Sequence, residues 1–70
     1  MFRMKVEAQF NIADRTLLAG RPGFTEIPKM IIIDGNEYKV FGVSQGIKLP
    51  FISLEIEKTD KQLTNKIAIA

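Results

Sequence analysis

Residues 2–12 read FRMKVEAQFNI, and this stretch decides the predicted fold. Apolar side chains occupy every even position from Phe2 to Ile12, and polar or charged side chains occupy every odd position between them. Side chains of a β-strand alternate between its two faces, whereas a helix repeats every 3.6 residues. The stretch therefore predicts a long strand whose even positions, Phe10 and Ile12 included, face the core.

Five more strands are predicted at residues 16–21, 29–34, 38–43, 51–58 and 66–70, which are short apolar or alternating runs. Turn-forming residues separate them at intervals typical of an all-β barrel or sandwich. We predict a small six-stranded, mostly antiparallel β-barrel formed by residues 1–70 as one domain. Its predicted core comprises Val6, Ala8, Phe10, Ile12, Leu18, Ile31, Ile33, Tyr38, Val40, Ile52, Leu54 and Ile56.

The third hairpin has two possible turns. Gly35-Asn36 is one favoured two-residue turn, and Asp34-Gly35 is the other, which avoids placing Asp34 opposite Glu37. With the first turn, Ile33 lies opposite Tyr38 and both face the core.

Three large apolar residues of the same hairpin, Met30, Ile32 and Phe41, are then predicted to face outward. Such a trio suggests a surface for a protein partner or a dimer contact. The alternative is that residues 22–28, with Phe24 and Ile27, fold over the trio as a second small core.

The composition argues against catalysis. Residues 42–46, GVSQG, fit the G-x-S-x-G pattern of a hydrolase nucleophile, but the chain has no histidine to activate Ser44 and no predicted helix after it. Lys48 as a base would need burial that a small barrel does not offer. Glu55 and Glu57 share a strand face. Paired carboxylates can act as acid and base or bind a cation, but the same arrangement is common on the solvated face of a strand. With no cysteine or histidine, we expect no enzyme activity, cofactor or metal site.

Ten basic and eight acidic residues give a net charge of +2. Arg15, Arg21, Lys29 and Lys48 lie in or beside predicted turns, where they could form one RNA-contacting rim; scattered solubilising charge is the alternative.

No apolar run approaches the roughly 20 residues of a membrane helix. We therefore expect a cytoplasmic protein that does not contact membranes.

Residues 6–43 resemble the start of the second domain of translational GTPases of the elongation factor Tu type. Val6, Phe10 and Ile12 match that family's V-x-x-x-F-x-I strand, and Gly20-Arg21, MIIIDG at 30–35 and Gly42-Val43 match later elements. Residues 13–15 lack the usual turn glycine, and residues 26–29 replace the usual lysine–valine–glycine–aspartate.

The resemblance implies a β-barrel that docks beside a GTPase domain and lies near RNA, in some members the acceptor end of aminoacyl-tRNA. The chain itself contains no P-loop, so we expect no nucleotide binding. The predicted function is a non-enzymatic interaction module that binds a protein partner or itself through one face. The alternative is an RNA-binding barrel that uses the basic rim.

Overall fold

A computed structural model describes residues 2–22, 27–45 and 51–70. This part of the chain forms six strands: β1 (Arg3–Ile12), β2 (Arg15–Pro22), β3 (Met30–Ile33), β4 (Asn36–Gln45), β5 (Ile52–Glu57) and β6 (Ile67–Ile69). Every pair of neighbouring strands is antiparallel, and the sheet closes in the order β1-β2-β5-β4-β3-β6. The predicted all-β class and the six-stranded antiparallel barrel are confirmed. Within the described ranges, no helix has the length and apolar character needed to cross a membrane.

The barrel closes where the last strand meets the first. Residues 3–5 of β1 pair with residues 67–69 of β6, and the backbones of Phe2 and Ala70 exchange hydrogen bonds of 3.2 and 3.0 Å. On its other side, β6 meets β3 through the single pair Ile32 and Ile69. The β3–β6 contact is therefore the shortest pairing of the closed sheet.

The core lies inside this closed sheet. Its buried apolar side chains are Phe2, Met4, Val6, Leu18, Ile31, Ile33, Tyr38, Ile52, Leu54, Ile56, Leu63 and Ala68. Val40 and Val43 are partly buried against them. Most of the predicted core is confirmed, but Ala8 is only half-buried and does not belong to it. The members that the predicted core lacks are Phe2, Met4, Leu63 and Ala68.

A β-bulge at Glu7 overturns the predicted burial of Phe10 and Ile12. Val6 pairs with Gly20, but Ala8 pairs with Ala19, so β1 carries one extra residue between the two pairs. An extra residue moves every later side chain of the strand to the opposite face. Phe10 and Ile12 are consequently 48% and 58% exposed, and the prediction that they belong to the core is wrong.

The bulge also turns Gln9 inward, where it binds the segment between β5 and β6. The Gln9 Nε2 donates to the carbonyl oxygen of Lys61, and its Oε1 accepts from the Leu63 amide, both at 2.8 Å. Leu63, which these bonds hold in place, is only 2% exposed. The side-chain amide of Gln9 thus fixes the backbone of residues 61 and 63, and Leu63 packs into the core.

Thr16 fixes the same segment at a second point. Its buried hydroxyl donates to Asn11 Oδ1 at 2.6 Å and accepts from the Thr59 amide at 2.9 Å. Buried polar groups are stable when they are hydrogen-bonded in this way. Residues 59–63 therefore pack along the inner side of the β1–β2 hairpin.

Both described hairpin turns contain two residues. In the β3–β4 hairpin, Asp34 and Gly35 have φ angles of 52° and 79°, and Ile33 pairs with Asn36. The turn is the Asp34-Gly35 alternative, so the register based on Gly35-Asn36 is wrong. The two registers differ by an even number of residues, so Ile31 and Ile33 still face the core.

Candidate functional site

A group of partly exposed side chains on the outer surface of β1, β2 and β4 forms what we call the aromatic face: Phe10, Ile12, Arg15, Leu17 and Phe41. Phe10 pairs with Leu17, and Ile12 pairs with Arg15, across the β1–β2 hairpin. On the other side of β2, Leu17 pairs with Glu55 and Arg15 pairs with Glu57 of β5. The sheet thus places apolar and charged side chains of both signs side by side.

A second bulge lies at Phe41 on this face. Val40 pairs with Ile56, whereas Gly42 pairs with Glu55, so Phe41 is the extra residue of β4. Val40 and Val43, which flank the bulge, both pack against the core. Phe41 itself is 42% exposed.

Arg15 lies over the exposed ring of Phe41. Its Cζ atom is 3.7 Å from the ring centroid, and Nζ of Lys39 is 5.4 Å from the same centroid. Cation–π contacts at exposed sites contribute about 0.5–1 kcal/mol each. The Arg15 guanidinium also lies 3.9 Å from Asp14 Oδ2, an exposed pair that adds little. The stacking restricts the rotamers of both side chains before any partner arrives.

A shallow hollow of about 300 Å³ adjoins Ile12 at the tip of the β1–β2 hairpin. Its lining residues are Ile12, Ala13, Asp14, Arg15, Leu17 and Glu55. The hollow has an apolar side formed by Ile12, Ala13 and Leu17 and a charged side formed by the other three. A space of this size accommodates an aliphatic side chain of a partner.

The three residues predicted as a partner surface all lie on the outer side of the barrel. Met30 is 44% exposed and pairs with Lys39, while Ile32 is half-buried beside Ile69. Lys39 lies between Met30 and Phe41, so the trio is not one continuous apolar surface. Of the residues expected to cover it, Ile27 is 37% exposed and Phe24 lies outside the described residues.

The predicted basic rim is divided. Arg15 begins β2 and Arg21 lies near its end, about 20 Å away for six residues of strand. Arg21 stacks over the ring of Phe51 at 4.5 Å, and Lys29 is exposed just before β3. Lys48 lies outside the described residues. Arg15 and Arg21 therefore do not share one rim.

The backbone around Ser44 is that of an antiparallel strand. Residues 42–45 continue β4, and Ser44 pairs with Ser53 of β5. A nucleophile elbow instead places its serine on a sharp turn from a strand into a helix. Gly46 and Lys48, the other members of that hypothesis, lie outside the described residues.

Sequence reasoning missed Phe10, Ile12 and the adjoining hollow as site residues, because strict alternation assigned both side chains to the core. Comparisons of the protein with family models, curated proteins and solved structures find no match. The site is therefore interpreted from its own geometry and chemistry.

Proposed function

We propose that this chain is a non-enzymatic interaction module that binds a protein partner through the aromatic face. The observation that carries the proposal is the exposure of Phe10, Ile12 and Phe41, which are 48%, 58% and 42% exposed. Arg15 connects two of them, because it pairs with Ile12 and stacks on Phe41. The bulge at Glu7 turns Phe10 and Ile12 outward, and a second bulge at Phe41 interrupts the otherwise regular pairing of β4 with β5. Bulges of this kind are typical of places where a strand redirects a side chain for function.

The chemistry of the face also suits a protein partner. Interface centres are enriched in aromatic residues and arginine, and residues of both kinds carry much of the binding energy. Here Arg15 is already stacked on Phe41, so binding costs less side-chain entropy than ordering two free side chains. The sequence resemblance of residues 6–43 to a docking domain of translational GTPases favours the same proposal, which includes a cytoplasmic location.

Mixed charge on the face favours protein over nucleic acid. Glu55 and Glu57 lie on β5 directly beside Leu17 and Arg15. Their carboxylates would repel a phosphate backbone that followed β2 from Arg15 to Arg21. A protein partner, in contrast, accommodates both signs of charge.

One observation favours the alternative function of RNA binding. Arg15 stacks on Phe41 and Arg21 stacks on Phe51, which gives two arginine–aromatic pairs near the two ends of β2. Aromatic and guanidinium planes can each stack on the bases of a single strand.

The proposed binding of a protein partner is tested by crosslinking, with the purified chain as bait in an extract of its own cells. The variants are Phe10→Asp and Phe41→Asp, and Ile69→Asp is the matched control because Ile69 is 43% exposed outside the aromatic face. Proteins that crosslink to the wild type and to the control should fail to crosslink to either face variant. Thermal melts establish that the variants fold. Identical crosslinked proteins for all four chains would refute the proposal.

Titration of a labelled single-stranded RNA separates the alternative. RNA binding through Arg15 and Arg21 should weaken steeply between low and physiological salt and should fall further in the Arg15→Ala and Arg21→Ala variants. Absence of binding at low salt would eliminate the RNA function.

A further inference from the structure

We infer that the partner that fits the aromatic face is a second copy of this chain, so that two barrels pair about a two-fold axis at the β1–β2 hairpin tip. This inference rests on the proposed function and names its partner. In a two-fold contact the same patch occurs on both subunits, so the patch must contain complementary features within itself.

The hairpin tip contains both a projecting side chain and a recess large enough to receive it. Ile12 is 58% exposed and stands beside the hollow of about 300 Å³. In a symmetric pair, each Ile12 enters the hollow of the other copy and contacts the apolar side formed by Ala13 and Leu17. Each copy then covers Ile12 of the other, the most exposed large apolar side chain among the described residues.

Charge is complementary in the same arrangement. Arg15 is the direct cross-strand partner of Ile12, so it arrives with Ile12 at the hollow of the other copy. That hollow is bordered by two carboxylates, Glu55 and Asp14, and by one guanidinium, that of its own Arg15. The symmetric contact therefore brings each Arg15 near the Glu55 of the other subunit, twice per pair. A partner with only one sign of charge would leave either Arg15 or Glu55 facing a like charge.

The size of the face sets the expected strength. Stable protein contacts usually bury about 800 Å² and 20–30 residues on each side. The aromatic face, the hollow and the flanking carboxylates supply roughly half that number of residues. The chain exposes 4688 Å² in total, so even a contact of standard size would use about one sixth of its surface. We therefore expect a weak pair that dissociates on dilution.

Analytical ultracentrifugation of the full chain at increasing concentration, up to about 1 mM, tests the inference. We expect the mass to rise toward twice that of the monomer, and Ile12→Asp to weaken the pairing about tenfold or more. Ile69→Asp, on β6 opposite Arg3 at the start of β1, should pair like the wild type. A mass that stays monomeric throughout would overturn the inference and leave the crosslinking test of the proposed function standing. Pairing that ignores Ile12→Asp would also overturn it.

A charge exchange tests the geometry independently of Ile12. Arg15→Glu and Glu55→Arg should each weaken self-association about tenfold, because each creates two like-charge contacts per pair. An equimolar mixture of the two variants should associate again, since every contact between them has opposite charges. If thermal melts show that both variants are folded, failure of the mixture to associate would overturn the two-fold arrangement.

Discussion

Replacing Ala13 by glycine is expected to stabilise the barrel, because Ala13 has a φ angle of 54° in the turn between β1 and β2. This left-handed conformation costs a residue with a Cβ atom about 1–2 kcal/mol, and glycine adopts it without that penalty. Glycine also lowers the free energy of unfolding by about 0.5–1 kcal/mol, because its backbone loses more conformational entropy on folding. The difference predicts a net stabilisation of about 0.5–1 kcal/mol.

Thermal denaturation followed by circular dichroism measures this effect. For a domain of this length, the predicted gain corresponds to a melting temperature about 2–8 °C higher. The matched control is Ala19→Gly, which makes the same chemical change within strand β2, where the backbone has no positive φ. That control should lower the stability by about 0.5–1 kcal/mol. If both variants lose stability equally, the strained turn at Ala13 is not present and the reasoning fails.

Three further substitutions test the packing of the barrel by chemical denaturation. Gly20→Ala should cost about 1–3 kcal/mol because its Cβ would clash with the carbonyl oxygen of Lys5; wild-type stability would show that the two strands lie farther apart. Thr16→Val should cost about 1–3 kcal/mol because the Thr59 amide loses its acceptor, whereas Thr16→Ser keeps the hydroxyl and should lose only about 1 kcal/mol. A larger loss for serine than for valine would assign Thr16 to apolar packing. Tyr38→Phe should leave the stability unchanged or raise it by about 1 kcal/mol, since the buried hydroxyl has no hydrogen-bond partner among the described residues. A clear loss would show that the hydroxyl is paired.

The strands and most of the core were predictable because their physical cause is local. Alternation in residues 2–6 and in β5 records which side chains leave water, and the Asp-Gly pair at 34–35 specifies a tight turn. Faces survive a change of turn as long as the register moves by two residues. This explains why Ile31 and Ile33 were assigned correctly from a register that was wrong.

The bulges were not predictable, because the sequence pattern runs through them without interruption. Phe10 and Ile12 keep the even positions of the alternation, yet the extra residue at Glu7 reverses their direction. The cause is long-range: Gln9 gains hydrogen bonds to the backbone of residues 61 and 63, more than fifty positions later. Leu63 was missed for the same reason, since its polar neighbours resemble a turn and only the folded barrel supplies its apolar surroundings.

The candidate site was likewise predictable where its cause is local and unpredictable where it depends on distant strands. The outward direction of Phe41 was predictable from its hairpin, whereas its stacking with Arg15 of β2 reaches across β5 and depends on the closed sheet. Arg15 and Arg21 appeared equivalent as residues near turns. The strand predicted at 16–21 already separates them, and the structure places them near opposite ends of β2.

The pairing of the first strand with the last has a kinetic consequence. Hairpins with two-residue turns form in about 1–10 μs, but β1 and β6 must meet across nearly the whole chain, and barrels with such distant pairings fold in milliseconds to seconds. Because Phe2 and Ala70 are hydrogen-bonded neighbours, a short linker between them would convert this slow encounter into a local one. A circular permutant opened at the 34–35 turn should therefore join β6 to β1 early, and its rate-limiting step should pass to the β3–β4 pairing.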